Sequence, residues 1–259
     1  MTLELLVSAV DKDVRRLAEE MKICSDAIII NQCDHNDYDE WEREGFRIRA
    51  YSFNEKGVGL SRNSALLRAD HDISVFADED IVYAKGYRET ILSSFEKYPE
   101  ADMLLFNMDV AEERETYHID KFGRVRRYNC GRYPTYSFAI KTDVMHKKNI
   151  TFSLLFGGGA KYSNGEDSLF IKECITKGLK VFKVPKTIGR EVPRPSTWFK
   201  GYNRKFFFDR GVLYYHLYGA LAYPLSIRFL LAHKKILCNE IPYEEALKLM
   251  KRGIREGKG

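Results

Sequence analysis

Four short apolar runs, two of them followed by helical segments, restrict what this chain can fold into more than any other feature. They occupy residues 3–10, 26–31, 72–77 and 101–110. The second reads Asp-Ala-Ile-Ile-Ile-Asn, and such a β-branched run suits a parallel strand buried on both faces. After the first, Val14, Leu17, Ala18 and Met21 recur at helical spacing behind a candidate cap, Asp11. Residues 60–69 and 86–98 are further helices, 47–53 a further strand, and the segment around Trp41 a polar loop. Strand and helix alternate at βαβ spacing over the first 110 residues. The expected class is therefore α/β, with a mostly parallel central sheet flanked by helices. Ligands in such sheets bind beyond the carboxyl ends of the strands.

The second half is less regular. Residues 111–160 carry no clear period, and 117–127 read as a hairpin or extended loop. Residues 167–177 form a helix with Gly178 as its stop, and 179–184 a strand ended by Pro185. From Ser196 onward aromatic and basic residues dominate. A boundary near residue 195 divides a main α/β domain, 1–195, from a C-terminal helical extension, 196–259. The last residues, 251–259, combine like charges with glycine and read as frayed.

Composition excludes several classes. The five cysteines, Cys24, Cys33, Cys130, Cys174 and Cys238, are scattered and form no Cys-x-x-Cys pair, against a disulfide framework or a structural zinc site. No window of about 18 residues is apolar enough to span a bilayer, and the N-terminus reads as a strand and not a signal peptide. A cytoplasmic protein is expected, with room for a peripheral position on the inner face of the plasma membrane. The net charge is +5, with the basic residues concentrated after Lys177, which suits an anionic partner. No nucleic-acid recognition motif accompanies them.

Three constellations carry chemistry, and each also has a plain structural reading. Asp78-Glu79-Asp80 follows the strand 72–77. Two carboxylates one residue apart at a strand end can converge on Mg²⁺ or Mn²⁺, a hard cation that accepts phosphate oxygens as further ligands; otherwise they are a solvated acidic turn. Gly57-Val58-Gly59-Leu60-Ser61-Arg62-Asn63 opens a helix, where an N-terminus and a guanidinium suit an anion; otherwise Arg62 is incidental. Asn164-Gly165-Glu166-Asp167-Ser168 begins the helix 167–177. Its acids either complement the helix dipole or include a general base.

In this order the three segments resemble the family 2 glycosyltransferases of the GT-A fold, of the kind that builds bacterial surface polysaccharides. The matching segments are Gly59-Leu60-Ser61-Arg62-Asn63-Ser64-Ala65-Leu66, Val75-Phe76-Ala77-Asp78-Glu79-Asp80 and Gly165-Glu166-Asp167-Ser168-Leu169, over about residues 3–190. The resemblance implies a role for each. Asp80, with Asp78, would hold the metal. Ser8, Val10, Asn31, Gln32, Arg62, Asn63, Asp78 and Glu79 would line the donor site. Asp167 would be the catalytic base of an inverting displacement, with Glu166 and Trp198 on the acceptor side. The implied donor is a nucleotide sugar, a UDP-sugar by expectation, and the implied acceptor a glycan or a polyprenyl-diphosphate-linked sugar. The chain departs from the family at Ser8-Ala9-Val10-Asp11, where Pro-x-Tyr-Asn is usual, and at Asn31-Gln32, where paired aspartates are usual. After Pro185 no histidine offers a third metal ligand; Arg190-Glu191 stands there instead.

Two questions stay open at this level. The C-terminal aromatic and basic stretch suits either an interfacial membrane helix or helices packed on the domain. Rival functions are a HAD-like phosphatase, which also uses Asp-x-Asp after a strand, and a non-catalytic membrane-docked GT-A scaffold.

Overall fold

The computed structural model describes residues 1–112, 115, 117–193 and 201–259. Among these, ten strands form one sheet: β1 (Leu3–Val10), β2 (Asp26–Gln32), β3 (Asp37–Arg43), β4 (Phe46–Phe53), β5 (Ile73–Asp78), β6 (Ile81–Tyr83), β7 (Met103–Asp109), β8 (Gly123–Arg124), β9 (Phe138–Lys141) and β10 (Val181–Glu191). The order is β3-β4-β2-β1-β5-β9-β7-β10-β6, with β8 pairing with β10. β4, β2, β1 and β5 run parallel, as do β7 and β10, while β9 lies antiparallel between β5 and β7.

The β1 and β2 runs turn apolar residues toward both sides of the sheet because helices cover both faces. Leu5, Val7 and Ile29 enter one buried layer and Leu6, Ile28 and Ile30 the other. The first layer includes α1 (Val14–Glu20) and α3 (Tyr87–Lys97), and the second α2 (Val58–Arg68), α4 (Thr142–Lys147) and α5 (Glu166–Thr176). α1 is capped by Asp13, whose side chain accepts from the Arg15 and Arg16 amides, and not by Asp11.

Three other expectations are corrected. The segment around Trp41 is the edge strand β3, antiparallel to β4. It was hidden by its charges, which guard an edge against further pairing. β9 lies inside the stretch read as irregular, where four residues are too few to show a period. Pro185 does not end its strand. The β10–β7 register shifts between Lys183 and Thr187, and at such an irregularity the missing proline N–H breaks no regular ladder bond.

The C-terminal helices are α6 (Arg204–Tyr218), α7 (Ala222–Ala232), α8 (Lys234–Leu237) and α9 (Tyr243–Lys258). They share a core of Phe206, Phe207, Leu230, Leu237, Ala246, Leu249 and Met250. Residues 251–258 are therefore helical, not frayed: Gly253 is buried against α6. A Cβ on Gly253 would lie 2.0 Å from the Phe208 carbonyl oxygen, and one on Gly211 would lie 2.2 Å from that of Met250. The two backbones touch at these glycines. Gly253→Ala should lower stability by about 1–3 kcal/mol through overpacking, read as an earlier denaturant midpoint. An unchanged midpoint would show that the helices can part without cost.

Candidate active site

The ends of β1 and β5 lie side by side, with Ser8 opposite Asp78. α2 approaches them from one face, and the Ser61 hydroxyl donates to Ser8 Oγ at 3.0 Å. One residue on, Arg62 is buried and forked. Its Nη2 donates to Asp78 Oδ1 at 2.9 Å and its Nη1 to Glu166 Oε1 at 3.0 Å. The guanidinium also lies 5.4 Å from the centre of the Phe152 ring. A single side chain thus joins all three sequence constellations, two of them 104 residues apart.

α2 can come this close because a neighbouring segment clamps it. The Asn63 amide donates to the Phe152 carbonyl at 2.9 Å and accepts from the Phe152 amide at 2.7 Å. A Cβ on Gly59 would meet the Ser153 carbonyl oxygen at 2.5 Å. Asn63, expected at the donor, therefore has both ends of its amide engaged with backbone.

α5 is aimed by Gly165. Its φ of 114° suits glycine, and a Cβ there would strike Leu213 of α6 at 2.5 Å. Glu166 then turns toward Arg62, with its second oxygen accepting from the Gly165 amide at 3.1 Å. Asp167, half-buried, accepts from the Ser168 amide at 2.6 Å. Its carboxyl is pushed up to about 7, mainly by desolvation and then by the charge of Glu166; the Ser168 hydrogen bond and Arg62 oppose this less strongly. A carboxylate of that strength can accept a proton near neutral pH.

The remaining expected residues have definite places. From the turn after β5, the Glu79 side chain, 8% exposed, reaches the end of β1, where it accepts from the Val10 amide at 2.6 Å and pairs with Lys12 at 3.6 Å. Asn31 exchanges hydrogen bonds with both backbone groups of Lys12. Gln32 does the same with Gly57. These amides fasten the loops that follow β1 and precede α2. Asp80 sits in the turn between β5 and β6, and its carbonyl accepts from the Val192 amide at 2.8 Å. Trp198 lies outside the described residues.

Two residues went unremarked as site residues. Lys12 places an ammonium at the β1 end, and only the contact to Glu79 reveals it. Glu191 is brought opposite Ile81, next to Asp80, by the antiparallel pairing of β10 with β6. The sequence showed Glu191 near the expected third-ligand position, but Pro185 argued against the strand that carries it there.

Neither group of three clustered metal-type ligands among the described residues includes Asp78 or Asp80: one is Cys33, Asp34 and His35, the other Glu4, Asp70 and His71. The second is already satisfied internally, since Glu4 takes the Asp70 and His71 amides and Arg49. One oxygen of Asp78 is held by Arg62. The donor set at the β5 end is therefore sparse and all oxygen. It fits a hard cation that keeps waters and takes phosphate oxygens, and does not fit a closed structural site.

TarS of S. aureus follows the same chain path. Its residues 1–349 in complex with UDP-GlcNAc superpose with a TM-score of 0.69, at 13% identity, covering 98% of this chain and 81% of that one. The complex with UDP gives 0.64, at 14% identity, over 99% and 82%. The chain has the GT-A fold. A longer TarS structure, of which the chain covers 49%, gives 0.63 at 13% identity. At such identities the likeness is one of fold. No family model matches the sequence, and no curated protein does.

Proposed function

We propose that the chain is an inverting glycosyltransferase that moves a sugar from a nucleotide donor, a UDP-sugar by preference, onto a glycan or lipid-linked acceptor. One observation carries this reading: Arg62 joins Asp78 at the β5 end to Glu166 at the N-terminus of α5, and Asp167, the residue next to Glu166, is the carboxylate read as the base. The fold shared with TarS, which binds UDP-GlcNAc and UDP, supports the donor class.

In this mechanism Asp167 takes the proton of an acceptor hydroxyl. The oxygen attacks the anomeric carbon as the bond to the diphosphate breaks, so the configuration inverts. Arg62 has a buried Nε with no partner among the described residues and stays fixed by its two carboxylates, which keeps its field preorganised. Mg²⁺ or Mn²⁺ held by Asp80, with Asp78, would supply charge neutralisation for the leaving diphosphate. The phosphatase reading is disfavoured because Asp78, its nucleophile, is held by Arg62, and because β1 and β2 precede β5.

A thermal-shift screen of nucleotide sugars tests the reading. A UDP-sugar with Mn²⁺ should raise the melting temperature, and Asp80→Asn should remove the part that depends on Mn²⁺. No stabilisation by any nucleotide sugar, with or without metal, would defeat it.

A further inference from the structure

We infer that the outward face of α7 and α8 is a docking surface for an anionic lipid bilayer. This separates two readings that the sequence left open, because different helices answer differently. α6 and α9 direct Phe206, Phe207, Leu249 and Met250 into a shared core. α7 needs only one inward stripe to join them, and has it in Ala222, Ser226 and Leu230, all buried at helical spacing, with the Ser226 hydroxyl satisfied by the Ala222 carbonyl. One position on, a second stripe runs through Tyr223, Ile227 and Leu231. It is continued by Leu221 before the helix and Ile236 in α8. Leu221, Leu231 and Ile236 are 62, 57 and 59% exposed. No helix among the described residues is long and apolar enough to cross a membrane.

Charge selects the occupant. From Arg210 to Asn239 the chain has no Asp or Glu. Arg228, His233, Lys234 and Lys235 are exposed around the apolar face. From α9, the Lys251 ammonium lies 5.5 Å from the centre of the Tyr223 ring and extends the basic rim. The acids nearest in sequence, Glu240 and Glu244, follow α8 at one end. Exposed aliphatic and aromatic side chains with a mainly basic border, acidic only at the end beyond α8, match a membrane with negative headgroups, where apolar insertion and charge attraction add. A second copy of this chain would set like charges against each other.

Co-sedimentation of the whole chain with vesicles tests this. Vesicles of phosphatidylcholine with about 30 mol% phosphatidylglycerol should bind the protein at least roughly tenfold more tightly than phosphatidylcholine alone, and added salt should weaken binding. The double substitution Leu231→Glu with Ile236→Glu should reduce binding about tenfold or more. Lys234→Glu with Lys235→Glu should do the same. All four side chains are exposed, so unfolding midpoints and nucleotide-sugar thermal shifts should stay at wild-type values. That separates this inference from the proposed activity. Absence of binding to the anionic vesicles at low salt would overturn it, as would binding indifferent to both double variants. A dimer dissolved by the Leu231 and Ile236 changes, without vesicle binding, would assign the face to a second copy and overturn it as well.

Discussion

Arg62→Ala is expected to lower folding stability by about 3–5 kcal/mol and to abolish sugar transfer. The side chain is 5% exposed and its two partners, Asp78 and Glu166, are 28 and 14% exposed. Without the guanidinium, two carboxylates from separate elements would face each other in a partly desolvated space with no counter-charge. Removing one partner from a buried pair costs more than the pair's net worth, because the charges left behind keep their desolvation penalty. The exposure of Asp78 allows some water in, which places the expected loss toward the lower end. Arg62→Lys should recover part of the stability, since an ammonium restores the charge. It should recover little activity, because it cannot fork between the β5 end and α5. Chemical denaturation followed by circular dichroism gives the first quantity and transfer assays the second. A variant as stable as the parent would show that the two carboxylates are satisfied by water, and that the three motifs do not form one unit.

The second large effect belongs to Asp167→Asn. As the base, Asp167 should contribute about 10²–10⁴-fold to kcat, and the amide cannot take a proton. The effect on stability has the opposite sign. In the folded protein this carboxyl ionises near 7, against 3.8 as its ordinary value. Between those values the folded state holds a proton that the unfolded state has released, so wild-type stability falls as pH rises from about 4 to about 7 and then levels. Each unit of such a shift corresponds to about 1.4 kcal/mol, so the fall is at most roughly 4 kcal/mol, reduced by whatever solvent reaches the half-buried group. Asp167→Asn should remove that slope, leaving a variant more stable than wild type at pH 8 and little different at pH 4. Over the same range wild-type kcat/KM should climb through an apparent pKa near 7 as the base ionises. An inactive variant that is also stabilised at high pH is the signature of a group held in a costly state for chemistry. Parallel stability profiles for the two proteins would remove Asp167 from that role.

Much of this molecule was legible in its sequence, for physical reasons that differ between elements. β1, β2 and β5 were visible because a strand buried on both faces carries a nearly continuous apolar run. α1, α2, α3 and α5 were visible because each pays out one stripe at helical spacing. β3, β9 and the far end of β10 were not visible. An edge strand is read as a loop because its charges keep other edges away, four residues contain too little period, and a proline is tolerated only where a partner strand happens to bulge. The candidate site divides in the same way. Asp78, Asp80, Arg62 and Asp167 stand in local patterns that chemistry makes recognisable, and Gly165 announces the turn into α5. Asn31, Gln32 and Asn63 share those patterns, yet their amides hold loops in place, and only the backbone groups opposite them reveal it.

Sequence alone determined the α/β class, the central strands and the residue types fit to handle a diphosphate, because periodicity and side-chain chemistry are local properties. Tertiary structure alone decided that Arg62 bridges Asp78 and Glu166, that α9 seals onto α6 through Gly211 and Gly253, and that α7 keeps a second apolar stripe in the open. Those facts depend on which distant segments meet and how closely. That is set by the packing of whole elements against one another, and no short window of residues encodes it.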